Sequence, residues 1–188
     1  LIHRERSDYP NLKWCLLKSA QALRRTKASR HDVRWTQLSI YWVLCARVMG
    51  DSGSVLSRVE RVCNTLRHDD PKGLLPMALK EYARVKRVLF GIDKAIDLME
   101  EALGAATRSG TLMTELELCL ELADYSLRLN RLAEGVTHLR RAETLFGSFE
   151  EPPSDVRLLS EFNHLKALEA RAAADYTTGL DFELKALE

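Results

Sequence analysis

The 188-residue sequence lacks most of the patterns that mark enzymes and membrane proteins. Phosphate-binding glycine loops, dinucleotide-binding fingerprints and the paired histidines of zinc proteases are all absent. No stretch of about 18 consecutive apolar residues occurs, so no membrane-spanning helix is expected. Runs of β-branched residues are few and the hairpin dipeptides Asn-Gly and Asp-Gly are missing, which argues against a β-sheet.

Cysteine is also scarce, and its spacing contains no metal-binding or redox motif. Cys15, Cys45, Cys63 and Cys119 form no Cys-x-x-Cys pair, and each lies among apolar neighbours. Thiols in such surroundings usually pack as small hydrophobic side chains in a reduced intracellular protein, either cytoplasmic or nuclear. We therefore expect free core cysteines, with disulfides or a zinc site as the alternatives.

The charges nearly cancel over the whole chain but are unevenly distributed. The net charge is +1, yet residues 1–34 carry nine Lys or Arg against three acids, and residues 161–188 carry six acids against three bases. Solvated helix faces are the simplest interpretation, and steering of partners of opposite sign is the alternative. Near the basic stretch 24–27, Trp14 and Trp35 have the spacing of core residues and are not interleaved with the charges. The nearly neutral balance of the chain also disfavours phosphate binding by this stretch or by 84–87, so nucleic acid is not an expected partner.

Helical periodicity runs through most of the chain. From Leu112 to Leu127, for example, apolar residues recur at three- and four-residue steps, as on one face of an amphipathic helix. The expected caps are Asp32, Ser54, and Ser154 or Asp155 at helix N-termini, and Asn130 in the left-handed conformation at a C-terminus. The predicted helices span residues 12–26, 32–49, 54–67, 76–90, 92–108, 111–129, 132–146, 154–174 and 177–188.

The predicted helices form pairs that repeat every forty residues or so, a period typical of helical-pair solenoids. The units lie near residues 32–70, 73–108, 111–147 and 154–188, and residues 1–30 supply the last helix of a preceding unit. The start has neither methionine nor an apolar signal core. We interpret the chain as one helical-repeat segment of a longer protein.

Small residues recur within these units at fixed distances. Leu122-Ala123 is followed by Gly135 and Ala142, and Tyr82-Ala83 by Ala95 and Ala102. The third instance is Lys166-Ala167 with Gly179 and Ala186, where Lys166 replaces a large apolar residue. Small side chains at facing positions allow two antiparallel helices to approach closely.

This spacing resembles the tetratricopeptide repeat (TPR) family, although the units here are longer than that family's usual ones. The resemblance implies an all-α fold, a right-handed α-solenoid of about four antiparallel helix pairs. Irregular long units are similar to those of large cell-cycle and chromosome-cohesion scaffolds. The implied function is a scaffold that binds a partner peptide or helix in its concave groove.

The groove is expected to be lined by polar residues that lie beside the packing stripe on the first helix of each pair. No cofactor is implied. The predicted partner-binding residues are Lys80, Arg84 and Arg87 on one helix and Glu117, Glu121 and Asp124 on the next.

Two motifs of catalytic type have simpler interpretations. The segment Gly50-Asp51-Ser52-Gly53-Ser54 is similar to the nucleophile segment of chymotrypsin-type proteases, but it joins two helices and has no β-barrel frame. Glu161 and His164 have the spacing of di-iron bundles without the second pair that such sites need. The sequence thus predicts no catalytic residue, no metal site and no enzyme.

A second hypothesis is that the chain is a regulatory or structural arm of a larger enzyme whose catalytic domain lies outside it. Such an arm would dock intramolecularly through apolar residues of the end segments 1–23 and 180–187. The two hypotheses predict different behaviour of the isolated chain in sedimentation or size-exclusion experiments. A binding module should stay monomeric, whereas an excised arm should self-associate through its uncovered apolar residues.

Overall fold

The computed structural model describes residues 2–26, 32–150, 155–173 and 176–187, and every regular element in these ranges is a helix. The predicted all-α class is confirmed. No helix in these ranges is both long and apolar enough to cross a bilayer. The helices are α1 (Ile2–Arg25), α2 (Val33–Val48), α3 (Ser52–His68), α4 (Leu75–Phe90), α5 (Ile96–Ser109), α6 (Leu112–Arg128), α7 (Leu132–Ser148), α8 (Val156–Ala172) and α9 (Tyr176–Leu187), with a short 3₁₀ turn at Ile92–Lys94 before α5.

Several predicted helix ends are confirmed. The Asp32 carboxylate caps α2 by accepting a hydrogen bond from the backbone N–H two residues later, at 2.9 Å, and Asp155 caps α8 in the same way. Asn130 has φ 59° and lies in the turn between α6 and α7, as predicted. These caps satisfy backbone groups that the first and last turns of a helix leave without partners.

Other ends differ from the prediction. Ser54 is not an N-cap, because α3 begins at Ser52 with Asp51 as its cap residue. The Ser54 hydroxyl instead donates to the Asp51 carboxylate at 2.7 Å from inside the first turn. The first helix starts at Ile2 rather than near Leu12. The other candidate cap of α8, Ser154, lies outside the described residues.

The chain forms two compact units, with the division after Ala105 in α5. In unit 1, α1 packs against α2, α2 against α3 and α3 against α4, and α2 also contacts α4. In unit 2, α6 pairs with α7 and α8 with α9, while α8 also contacts α6 and α7. Three-residue turns join α2 to α3 and α6 to α7, so these pairs are antiparallel. Packing of sequential neighbours is typical of helical-repeat folds.

Small residues lie at the helix contacts of unit 2, at the positions that the repeat spacing predicts. A Cβ atom added to Gly135 would lie 3.0 Å from side-chain carbons of Leu127 and 3.3 Å from the carbonyl oxygen of Ala123. In the last pair, a Cβ on Gly179 would lie 3.5 Å from the carbonyl oxygen of Ala167. At both places the backbones of the two helices approach within the width of a methyl group.

The corresponding residues of unit 1 are also in the core. Ala83, Ala95 and Ala102 have no exposed surface, and Tyr82 is 5% exposed. Alanine at all three positions lets the neighbouring large side chains fill the space between helices.

The four cysteines are free thiols, but they do not share one environment. Cys45, Cys63 and Cys119 are buried as predicted, and loss of hydration raises the pKa of Cys63 to about 12. Cys15 is exposed, so its predicted core position is wrong. The adjacent Trp14 is 60% exposed and is not a core residue either.

Two glycines of α7 provide a test of the close helix contact. Gly135→Val should lower the free energy of unfolding by about 1–3 kcal/mol, because the new side chain must displace Leu127 or separate the helices. Gly147→Val is the matched control in the same helix, since nothing lies within 4 Å of an added Cβ there. Urea unfolding followed by circular dichroism measures both. Equal stability of the two variants would contradict the close packing at Gly135.

Candidate functional site

The basic residues predicted to line a groove on α4 are buried or half-buried. Lys80 is 8% exposed, and Arg84 and Arg87 are half-buried. Each of the three takes part in interactions within the protein. Their side chains therefore belong partly to the packing of unit 1, which makes α4 a weaker candidate for partner contacts than the sequence suggested.

Arg84 has a specific partner that the sequence analysis did not identify. The carboxylate of Glu81 is buried, at 3% exposure, between two arginines. Its Oε1 accepts a hydrogen bond from Nη1 of Arg84 at 2.7 Å, and its Oε2 accepts one from Nε of Arg47 at 3.0 Å. Because Arg47 lies on α2, this three-residue cluster connects the first helices of two successive pairs. Removing the negative charge would leave two cations facing each other in a poorly hydrated site.

The acidic residues predicted on α6 follow one face of that helix, at positions i, i+4 and i+7. Glu117, Glu121 and Asp124 are all half-buried. Each carboxylate lies close to a hydroxyl group or an arginine on α6 or α8. Their neighbours are Arg157 of α8 for Glu117 (3.7 Å), Tyr125 for Glu121 (3.3 Å) and Arg128 for Asp124 (2.8 Å).

An open groove in unit 2 lies between α6 and α8, the first helices of its two pairs. Its volume is about 370 Å³, within the range of sites that hold small ligands or a few side chains. Of the six predicted partner-binding residues, Asp124 lines this groove. The lining consists of Asp124, Leu127, Arg128, Asn130, Leu132, His164, Leu168 and Ala172.

The groove combines an apolar surface with polar groups beside it. Leu127 and Leu168 are half-buried, and Leu132 is 43% exposed at the start of α7. Asp124 accepts from Arg128 on one side, and His164 Nδ1 lies 3.6 Å from the Glu183 carboxylate on the other. This arrangement can accept an apolar side chain and hydrogen-bond the backbone or polar groups that flank it.

The groove residues on α8 were not predicted from the sequence, although the repeat period is sufficient to locate two of them. His164 lies 40 residues after Asp124, and Leu168 lies 40 residues after Arg128. Forty residues is the predicted length of a unit. Equivalent positions of successive first helices are neighbours in a helical-repeat fold, so a shift by one period identifies both residues.

The two motifs of catalytic type adopt ordinary helical environments. Ser52, at the nucleophile position of the protease-like segment, is 2% exposed in the first turn of α3. His164 faces a carboxylate of α9, and Glu161 lies one turn before it on α8. Among the described residues, no three His, Cys, Asp or Glu side chains are arranged to hold a metal ion.

Comparison with known proteins identifies a similar fold but no family. No protein-family model matches the chain, and no curated protein sequence matches it. The crystal structure of BtubC (BKLC) from P. vanneervenii is similar, with a TM-score of 0.78 over 96% of this chain and 74% of that chain, at 14% identity. At this identity the likeness shows the fold alone, an all-helical, repeat-like arrangement.

The cluster of Glu81 with Arg47 and Arg84 can be tested by replacing Glu81 with an uncharged residue, which should lower the stability of the protein. Glu81→Ala should lower the free energy of unfolding by about 2–4 kcal/mol, because it leaves Arg47 and Arg84 without their shared carboxylate. Glu134→Ala is the control: Glu134 forms an exposed ion pair with Arg131 at 3.6 Å, and its loss should cost less than about 1 kcal/mol. Thermal or urea unfolding measures the difference, and equal losses would show that the buried cluster has no special role.

Proposed function

We propose that this chain is a protein–protein interaction module that binds a peptide or helix of a partner protein in the groove between α6 and α8. The observation that supports this proposal is the open groove of about 370 Å³, whose leucines are exposed or half-buried beside hydrogen-bonding side chains. Partner helices and extended peptides bind in grooves of this kind by inserting one or two apolar side chains.

We also propose that the helix pairs within each unit are TPR-like repeats of irregular length, of the kind that build α-solenoids. The support is the close packing at Gly135 and Gly179, together with the buried alanines at the corresponding positions of unit 1. In such solenoids the first helices of successive pairs bind the partner. The α6–α8 groove lies between two first helices, which agrees with that mode.

The charge of unit 2 indicates the kind of partner. From Ala106 onward the sequence has 9 Lys or Arg and 15 Asp or Glu, a difference of −6. Glu117, Glu121 and Asp124 lie along the face of α6 that leads to the groove. The proposed ligand is therefore an amphipathic segment with an apolar residue for the groove and Lys or Arg beside it.

The proposal includes no catalytic role. The serine of the protease-like segment is buried in a helix turn, where a substrate does not reach it. A scaffold within a large intracellular assembly, of the cell-cycle or chromosome-associated kind, is the biological setting we propose.

A second candidate function has its own supporting observation. Apolar side chains are exposed on α1 and α9, at the two ends of the described chain: Trp14 and Leu17 on α1, and Leu180, Leu184 and Leu187 on α9. Exposed apolar side chains at these places suit a structural or regulatory arm of a larger enzyme, which would dock there intramolecularly.

A substitution that fills the groove tests the leading proposal. Ala172→Trp should abolish capture of partners from the native source, because the indole occupies the space between α6 and α8. Ala133→Trp adds the same side chain at an exposed position of α7 outside the groove, and should leave capture unchanged. Quantitative mass spectrometry of parallel pull-downs measures both. Identical partner sets for the wild type and Ala172→Trp would contradict binding in this groove, provided that circular dichroism shows both variants folded.

A further inference from the structure

A second open groove, in unit 1, has a different chemistry. It lies between α2 and α3, near the start of α2 and the end of α3, and its volume is about 360 Å³. None of its lining residues is acidic. They are Trp35, Thr36, Ser39, Arg58, Arg61, Val62 and Thr65.

The two arginines of this groove are available for a ligand. Arg58 and Arg61 are one helical turn apart on α3, and both are exposed. Arg58 lies 6.0 Å from the centre of the Trp42 ring, and Nε of Arg61 donates to the carbonyl oxygen of Ser57 at 3.3 Å. Neither guanidinium pairs with a carboxylate in the described part of the chain, whereas Arg47, Arg84, Arg128 and Arg141 all do.

Hydroxyl groups line the same groove as the arginines and add hydrogen-bonding capacity. Within the described residues, the hydroxyls of Thr36 and Ser39 make no hydrogen bond to the protein, although serine and threonine in helices often bond to the preceding turn. The Thr65 hydroxyl donates to the carbonyl oxygen of Arg61 at 3.0 Å and keeps its capacity to accept. Half-buried Val62 and Trp35 supply apolar surface beside these groups.

Unit 1 as a whole is positively charged, as is its α2–α3 groove. The sequence up to Ala105 has 19 Lys or Arg and 12 Asp or Glu, a difference of +7. A ligand with negative charge is therefore attracted to unit 1 before it reaches the two arginines. The ligand proposed for unit 2 carries Lys or Arg, so the two grooves would bind different segments of partner proteins.

We propose that the α2–α3 groove binds an acidic segment of a partner protein, with two carboxylates and one apolar or aromatic side chain. Arg58 and Arg61 bind the carboxylates, the hydroxyls of Thr36 and Ser39 donate to the same oxygens, and the apolar side chain packs on Trp35 and Val62. Charged hydrogen bonds to arginine are the strongest that such a ligand can form at a surface. Nucleic acid is a poorer fit, because tracking its backbone requires more cations than the two in this lining.

A defined peptide tests the proposal with the full chain. The probe is a fluorescein-labelled peptide of sequence Gly-Glu-Glu-Phe-Glu-Glu-Gly, and the control peptide has glutamine in place of every glutamate. Fluorescence anisotropy at low salt should show saturable binding of the acidic peptide and much weaker binding of the glutamine peptide. Equal binding of the two peptides would overturn the proposal.

Two double variants distinguish binding in the groove from attraction to the net charge of the protein. Arg58→Gln with Arg61→Gln should weaken binding of the acidic peptide by about tenfold or more, because both charged hydrogen bonds are lost. Arg108→Gln with Arg140→Gln removes the same charge from exposed positions of α5 and α7 and should change affinity by less than about threefold. Equal weakening by both double variants would show non-specific attraction and overturn the proposal.

Two further measurements complete the test. Chemical-shift mapping on the wild-type protein should show the peptide perturbing Thr36, Arg58 and Arg61, independently of how the variants fold. Shifts confined to other residues, or tighter binding of a single-stranded oligonucleotide at these residues, would overturn the proposal. Ala172→Trp, in the α6–α8 groove, should leave binding of the acidic peptide unchanged. The proposals for the two grooves can therefore be contradicted independently of each other.

Discussion

The close approach of helix backbones at small residues is the constraint on which the rest of the structure depends. Gly135 allows α7 to lie against Ala123 and Leu127 of α6, and Gly179 allows α9 to lie against Ala167 of α8. A larger side chain at these places would separate the helices and open voids in a core that must be closely packed. Because each second helix covers one side of its first helix, the other side of α6 and α8 remains available to form a groove.

Buried ion pairs add a second constraint, which decides which charges are left for partners. Glu81 forms ion pairs with Arg47 and Arg84. Glu115 of α6 forms one with Arg141 of α7, whose Nη2 lies 2.6 Å from Oε1 of Glu115. Arg47 and Arg141 each connect two helices in this way, and their loss would leave the buried carboxylates of Glu81 and Glu115 without an interhelical partner. Arginines without such partners, as in the α2–α3 groove, can bind an external carboxylate without that cost.

Much of the fold could be predicted from the sequence because its determinants are local. Caps such as Asp32, the left-handed Asn130 and the small residues of each pair act within one helix or one turn, and the helix pairs follow from them. The misses have non-local causes. The start of α1 is polar and shows no apolar period. Trp14 and Cys15 are exposed because, within the described residues, the main packing of α1 is against one neighbour, α2. Lys80 and Arg84 resembled surface residues because burial of long charged side chains depends on contacts far along the chain. The carboxylate that Arg84 binds, Glu81, is itself bound by Arg47 of α2.

The environments of the thiols determine how the protein responds to oxidation. Burial raises the pKa of Cys63 to about 12, so almost none of this thiol is ionised at neutral pH, and the thiolate is the nucleophile that attacks peroxides and disulfides. Burial shields Cys45 and Cys119 from such reagents as well. Cys15 remains as the accessible thiol, so mild oxidation would link two molecules through a single bond between their α1 helices and leave both interiors chemically intact.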